Sequence, residues 1–183
     1  MAQTVRDHVR TAILDAAAAV IAEHGEAASM ADVAEAAGIG RATLYRYFAN
    51  RDDLLRALTR AAIEDASARL AEADLELVPV PEALARLSRV LVACGTKFAL
   101  ITENPLHLDR EEADRRVGEP LRAVLRRGIT DGTLRSDLPV DALAQLFGGL
   151  LVAAIRWASQ HDGGVERTSA AMNSVFLHGA ESP

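Results

Sequence analysis

Apolar residues recur every three to four positions along most of this chain, which is the period of an amphipathic helix. In the first such run Val9, Ile13, Val20 and Ile21 share one face, and the spacing predicts a helix. No run of four or more residues alternates convincingly between polar and apolar, so we expect no β-strands. The pattern predicts an all-α fold of about nine helices.

Residues with known positional preferences mark the helix ends. Ser29 followed by Asp32 matches a capping box, Gly38 is suited to end the second helix, and Asn50 to cap the fourth. We expect Gly118 to end the sixth helix and Pro120 to begin the seventh. The predicted helices cover about residues 5–23, 29–37, 41–48, 50–73, 82–101, 108–117, 120–130, 141–159 and 165–179.

Helices 2 and 3 are short and are joined by a three-residue turn, Gly38–Gly40. That is the pattern of a helix-turn-helix, whose second helix enters the DNA major groove. Leu44 and Phe48 are four residues apart, so we expect them to pack inward. Arginine can bond guanine with two hydrogen bonds, and small methyl groups suit the thymine methyl. The side chains predicted to face the groove are Arg41, Ala42, Thr43 and Arg46.

Phosphate contacts are expected from Tyr45, Tyr47 and Arg51, and from backbone N–H groups at the start of the fourth helix. Spacing alone leaves a plainer interpretation open, in which the tyrosines cap a small core and the arginines form a solvated face. The formal net charge is −6, so the whole chain does not attract nucleic acid. Any DNA binding must come from the local arginine group.

The segments ILDAAAAVIAEHG, from Ile13, and SMADVAEAAGIGRATLYRYFANRDDLLRAL, from Ser29, resemble the DNA-binding domain of the tetracycline-repressor (TetR) family. The resemblance implies that Thr43, Tyr45, Tyr47 and Arg51 contact DNA and that Ser29 lies near its backbone. It implies that Arg41, Ala42 and Arg46 occupy the variable, sequence-reading positions. Gly40 departs from the family, which usually has Ser or Thr there, and so lacks a side-chain phosphate contact.

The resemblance also implies a two-domain, ligand-responsive transcriptional regulator, with a DNA-binding domain over residues 1–52 and a ligand-binding and dimerisation domain over residues 53–183. Helix 8 is apolar nearly all round, which fits burial against a second subunit, although a buried central helix in a monomer is the alternative. We expect helices 8 and 9 to form a four-helix bundle with their symmetry mates. The interface residues predicted are Leu146, Gly149, Leu150, Ala154, Ala171 and Val175, with Ala170 and Phe176 on the same stripe of helix 9.

A two-fold dimer predicts a palindromic operator in double-stranded DNA, most simply one whose binding represses transcription; activation stays open. We expect an unidentified small hydrophobic or amphipathic effector and no cofactor. Its candidate contacts lie on the middle helices: Cys94, Phe98, Thr102, His107, Arg122, Arg126, Gln145 and Trp157. His107 and Glu111 have a spacing that could hold a metal ion, but two ligands are too few, so we predict no metal site.

Other classes of protein fit less well. Cys94 is the only cysteine, which excludes an intrachain disulfide and favours a reducing cytoplasm, and the first residues show no signal peptide. The uncharged run Ala142–Ile155 is expected to be too short to span a bilayer. No phosphate-binding loop, nucleophile elbow or zinc-protease motif is present, so we predict no enzymatic activity. A helical enzyme or a protein-interaction bundle is the alternative, and it leaves the group Arg41–Arg51 unexplained.

Overall fold

The computed structural model describes residues 2–103, 109–161 and 163–180, and these contain helices and no β-strand. The predicted all-α class is therefore confirmed for the described residues. A 3₁₀ turn, Gly25–Ala27, follows the first helix. The helices are α1 Ala2–His24, α2 Met30–Ala36, α3 Arg41–Tyr47, α4 Arg51–Ala71, α5 Val80–Glu103, α6 Arg110–Ala113, α7 Glu119–Thr130, α8 Val140–Gln160 and α9 Gly164–Ala180.

The apolar side chains form two cores. The N-terminal core lies between α1, α2, α3 and the first two turns of α4, with Ile13 and Leu44 fully buried. The C-terminal core lies between α4, α5, α7, α8 and α9, and its two phenylalanines, Phe147 and Phe176, pack edge to face at 5.2 Å. Phe176 therefore belongs to the interior of the chain and not to the exposed stripe on α9 where the sequence placed it.

One helix, α4, belongs to both cores. Leu54, Leu55 and Leu58 are buried in the N-terminal core, and the buried positions from Ala62 to Leu70 belong to the C-terminal core. The side chains change core within one turn, between Leu58 and Ala62. A rigid helix thus links the two halves without a flexible linker.

The turn between α2 and α3 is a Schellman motif. Gly38 has φ +66°, the Ile39 N–H donates to the Ala34 carbonyl at 3.0 Å, and the Gly38 N–H donates to the Glu35 carbonyl at 3.0 Å. These bonds satisfy carbonyls at the end of α2 that would otherwise lack partners. The motif fixes the direction in which α3 leaves the turn.

Gly118 and Pro120 do not separate two helices as predicted. α6 runs into α7 through one wide π turn, Asp114–Gly118, in which the Glu119 N–H donates to the Asp114 carbonyl five residues back. Gly118 itself has helical dihedral angles, φ −66° and ψ −43°. Proline lacks an N–H and its ring collides with the carbonyl four residues earlier in a regular α-helix, and an extra residue in the turn lets the helix continue.

α5 is also less regular than the sequence predicts. Gly95 has φ +46° and ψ −122°, which are not helical values, and it marks a kink between two helical stretches. Its glycine can take this conformation because it has no β-carbon to collide with the backbone.

α8 is long and apolar. Among the described residues, Val140–Ala158 is the one stretch that could cross a bilayer by length and composition alone, a test that core helices of soluble proteins also pass. The prediction that the uncharged run Ala142–Ile155 is too short to span a bilayer is therefore wrong for the whole helix, because Val140–Ala158 is long enough. Only 22% of the stretch is buried inside the chain. An exposed apolar surface of this kind marks a contact with another protein or a membrane.

The turn yields a matched pair of substitutions. Gly38→Ser is expected to lower the free energy of unfolding by about 1–2 kcal/mol, because a β-carbon is disfavoured in the left-handed region. Gly40→Ser is expected to raise it by a few tenths of a kcal/mol, because Gly40 is the N-cap of α3, has φ −70° and has nothing within 4 Å of an added β-carbon. Denaturant unfolding measures both, and shifts of the same sign would contradict the assignment of the turn.

Candidate nucleic-acid interface and effector cavity

α3 is anchored to the N-terminal core along one face and exposes the others. Leu44 is fully buried and Phe48 is 3% exposed, which confirms that this pair packs inward. The opposite side presents its N-terminal end and one flank to solvent, the arrangement that a recognition helix needs. Arg41, Ala42, Tyr45 and Arg46 are exposed, and Thr43 and Tyr47 are half-buried.

The two tyrosines of α3 have different surroundings. Tyr45 is 51% exposed, whereas Tyr47 packs partly against the N-terminal core. The Arg46 guanidinium lies 5.9 Å from the centre of the Tyr47 ring, a cation–π distance. The plainer interpretation, in which both tyrosines cap the core, therefore accounts in part for Tyr47 and not for Tyr45.

A fourth arginine lies beside α3. The Arg10 guanidinium, from α1, is 5.5 Å from the centre of the Phe48 ring. This contact could not be predicted from the sequence, because Arg10 and Phe48 are distant in sequence and no local spacing signals it. This contact places Arg10 against the residue that ends α3.

Ser29 caps α2 with the predicted capping box. The Asp32 carboxylate accepts bonds from the Ser29 N–H at 2.9 Å and hydroxyl at 2.8 Å, and the Asp32 N–H donates to the Ser29 Oγ at 3.2 Å. Because these bonds favour the charged form, the pKa of Asp32 lies below its ordinary value of 3.8. The single hydroxyl proton of Ser29 is therefore already committed, and a phosphate contact from this hydroxyl would have to replace its bond to Asp32.

Arg51 joins the start of α4 to the segment before α2. Its Nε donates to the Ala28 carbonyl at 3.3 Å, and the residue is half-buried. Asn50 caps α4 by accepting a bond from the Asp53 N–H at 2.8 Å. Arg51 thus has a structural bond in addition to any contact that its terminal nitrogens make with DNA.

A cavity of about 680 Å³ lies in the C-terminal half between α4, α5, α8 and the helix formed by α6 and α7. This volume suits a small organic ligand. Its lining is mainly apolar, with a few polar groups at the edges. The lining residues include Ile63, Asp114, Val117, Gly118, Arg122, Asp141, Gln145 and Phe147.

The cavity includes only some of the candidate ligand contacts. Gln145 and Arg122 line it, whereas Cys94 does not, because its thiol lies 3.7 Å from the Asp65 carboxylate where α5 packs on α4. Arg126 is exposed and paired with Glu119, and Trp157 is 44% exposed with its ring stacked on His161 at 5.1 Å. The side chains of Phe98 and Thr102 and the whole of His107 lie outside the described residues.

Asp141 and Phe147 also line the cavity and were not predicted. Asp141 and Gln145 are four residues apart and share one face of α8, whereas Phe147, two residues after Gln145, lies on the buried side. His107, one member of the weighed metal pair, is outside the described residues. Among the described residues, no group of three or more metal-ligating side chains occurs.

α8 and α9 expose apolar side chains on the outside of the chain. Leu146 is 56% exposed and Val175 is 62% exposed. Gly149 and Ala171 are also exposed, and Leu150 and Ala154 are half-buried. The rest of the chain therefore leaves these side chains of α8 and α9 uncovered or only partly covered.

Residues 13–58 match the model of the bacterial regulatory proteins, tetR family. The chain is 36% identical over 151 residues to the HTH-type transcriptional repressor LfrR of Mycolicibacterium smegmatis, covering 81% of this chain and 78% of LfrR. The chain belongs to the TetR family. Its fold superposes on the structure of LfrR in complex with proflavine with a TM-score of 0.77 at 30% identity, over 96% of this chain and 97% of LfrR.

Two further relatives support the same class. The HTH-type transcriptional repressor KstR2 of Rhodococcus jostii is 28% identical over 189 residues, covering 95% of this chain and 92% of KstR2. The regulator FadR from Bacillus subtilis, solved in complex with stearoyl-CoA, has a TM-score of 0.67 at 25% identity over 92% of this chain and 98% of FadR. The chain is thus a DNA-binding transcriptional regulator, which confirms the predicted class. Its relatives are regulators and not enzymes.

The capping box makes the stability of the N-terminal domain depend on pH. Because the pKa of Asp32 is lowered on folding, its stabilising contribution is fully present above the ordinary pKa and is lost as the pH falls through the folded value. We expect Asp32→Asn to lower the melting temperature at pH 7 and to lower it progressively less as the pH falls below 3.8. Melting curves of both proteins from pH 7 down to pH 2 test this, and a difference that stays constant with pH would contradict it.

Proposed function

We propose that this TetR protein is a homodimeric repressor that binds a palindromic operator through α3 of each subunit and is released by a small apolar or amphipathic ligand. The observation that carries the proposal is the exposure of Arg41, Ala42 and Arg46 on a helix whose other face is anchored by Leu44 and Phe48. We place the protein in the cytoplasm, where it has access to the chromosome.

Within α3 we assign base reading to Arg41, Ala42 and Arg46, which are exposed. Thr43, Tyr45 and Tyr47 contact the DNA backbone or the adjacent thymine methyl. Ser29 and Arg51 lie on the same side at the starts of α2 and α4, close to the phosphates. Ser29 lies near a phosphate because it is at the start of α2, and its hydroxyl does not donate to that phosphate because its proton is bonded to Asp32.

The dimer forms through α8 and α9. Leu146, Gly149, Leu150 and Ala154 on α8 and Ala171 and Val175 on α9 provide the apolar surface that the single chain leaves uncovered. A two-fold axis through this surface places the two α3 helices on successive major grooves, so the half-sites lie about 34–36 Å apart. Burial against a second subunit also explains why α8 has the composition of a membrane span.

The effector occupies the cavity of about 680 Å³ beside α4. Its apolar walls, with Gln145, Asp141 and Arg122 as polar contacts, suit a largely apolar molecule with one polar end. LfrR was solved with proflavine and FadR with stearoyl-CoA, and these two ligands differ widely, so similarity supports the class and not the compound. Ligand entry weakens DNA binding if the ligand has a higher affinity for the conformation that does not fit the operator.

Selection from random-sequence DNA, followed by mobility shift across a salt series, tests the repressor proposal. We expect a palindrome bound by one dimer, with an affinity that falls steeply as the salt concentration rises. Failure to enrich any sequence, even at low salt, would contradict the proposed DNA-binding function.

Substitutions of the arginines separate reading from anchoring. Arg46→Ala is expected to relax preference at one operator position at a cost of about 1–3 kcal/mol on the cognate sequence. Arg51→Lys keeps the phosphate charge and is expected to leave the salt slope unchanged, whereas Arg51→Gln is expected to lower it by about 1 for each half-site. Arg60→Ala, at an exposed position of α4, is the control for charge. If Arg46→Ala lowered the affinity equally for all DNA sequences, the assignment of Arg46 to base reading and Arg51 to phosphate contact would be contradicted.

Charges on the exposed apolar surface test the dimer. Leu146→Glu combined with Val175→Glu is expected to give a folded monomer with operator affinity reduced by at least about a hundredfold, because buried like charges oppose association. Leu77→Glu, at a position 80% exposed in the loop after α4, is the matched control and is expected to remain a dimer. Sedimentation velocity gives the mass of each variant. A dimer that persists in the double variant would place the interface elsewhere.

A further inference from the structure

The wide turn Asp114–Gly118 is a wall of the cavity and a neighbour of α4. Asp114, Val117 and Gly118 line the cavity opposite Ile63 of α4, and the turn packs directly against α4. Val117 is only 8% exposed and belongs to the same core as Ile63. The conformation of these five residues therefore sets both the shape of the cavity and the packing of the helix that leads to the DNA-binding domain.

An ion pair spans the wide turn. The Arg122 Nη2 lies 2.6 Å from the Asp114 Oδ2, and its Nε lies 3.0 Å from the Glu119 Oε2. In a regular α-helix, residues eight apart point about 80° away from each other, at 100° per residue. The wide turn absorbs about one residue, which reduces this angle to about 20° and brings the two side chains into line. The Asp114–Arg122 pair therefore depends on the π register.

Two neighbouring residues favour the same register. Gly118 leaves room for the Asp114 carboxylate, because an added β-carbon would lie 2.7 Å from its Oδ1. Pro120 disfavours the α register because its ring would collide with the carbonyl four residues earlier. The opposing influence is the poorer backbone hydrogen bonding of a π turn, which makes long runs of it rare. Such balanced local arrangements are elements that a ligand can switch.

We propose that Asp114–Gly118 exchanges between the π and α registers, and that this exchange communicates ligand binding in the cavity to α4. The Asp114–Arg122 ion pair stabilises the π register. Asp114 and Arg122 both line the cavity, so a polar ligand group that bonds either one competes with the pair. Loss of the pair rotates the residues before the turn by about 100° relative to those after it and moves Val117 against α4. This inference rests on the proposed repressor function, since its readout is operator binding.

Two substitutions perturb the register from independent sides. Asp114→Asn removes the ion pair with almost no change in volume, and Pro120→Ala removes the obstacle to the α register. Glu111→Gln is the matched control, because Glu111 is an exposed acid one turn before Asp114 and lies outside the pair. Operator affinity is measured by mobility shift on the palindrome selected by the wild-type protein, without any ligand. A crystal structure of Pro120→Ala reports the register directly.

Both variants are expected to change the operator Kd in the same direction by at least about fivefold, the lower end of ordinary coupling between sites. The double variant should change it in the same direction and by at least as much as the larger single variant does, because both act on one equilibrium. The crystal structure should show the turn in the α register. Pro120→Ala favours helix formation, so its result stands even if Asp114→Asn folds poorly.

Kd values for both variants within twofold of Glu111→Gln would overturn the proposal and leave the repressor function intact. Retention of the π turn in Pro120→Ala together with a changed Kd would also overturn it. If the wild-type protein binds no selected DNA, the repressor function fails and this inference fails with it.

Discussion

The structure depends on one constraint, which is that α4 is packed into two cores at once. Leu54, Leu55 and Leu58 fix its first turns among α1, α2 and α3, and Ile63 and its neighbours fix the rest among the ligand-binding helices. Because protein interiors are close-packed, a displacement of one end of such a helix is not absorbed by its surroundings. The cavity beside Ile63 and α3 are therefore both packed against α4, each through its own set of buried side chains.

The surface around α3 shows how an acidic chain can present a local group of exposed arginines. Asp32 is an acid near Arg41, and its carboxylate accepts hydrogen bonds from the Ser29 N–H and hydroxyl. Asp53 likewise pairs with Arg56 at 2.6 Å on α4. Arg41 and Arg46 remain exposed on α3. The local arrangement of charge thus matters more than the net value of −6.

Most of the helix boundaries and the inward face of α3 could be predicted from short-range sequence patterns. The Ser29–Asp32 capping box, the Asn50 cap and the inward pair Leu44 and Phe48 could all be predicted, because each depends on residues within one turn of one another. The turn at Gly118 could not, because proline ordinarily ends a helix and here an extra residue in a π turn lets the helix continue past Pro120. The wide turn is a tertiary outcome that overrides a correct local rule.

The ligand-binding half was the least predictable for the same reason. Whether a residue of α8 faces the cavity, the core or the outside depends on how four helices pack, and an almost uniformly apolar helix gives no periodic clue. Gln145 was identified by its polarity, and Phe147 was hidden among other apolar residues. Cys94 and Trp157, two of the candidate ligand contacts, lie against Asp65 and His161 instead.

The most direct measurement is the distance between the two recognition helices on the operator. Ala49 is exposed directly after α3, so a spin label on Ala49→Cys in a Cys94→Ser background reports this distance by pulsed electron paramagnetic resonance. A homodimer on a palindrome predicts one narrow distance close to the spacing of successive major grooves, about 34–36 Å. The absence of any distance between subunits, or a distance unrelated to one turn of DNA, would contradict the account.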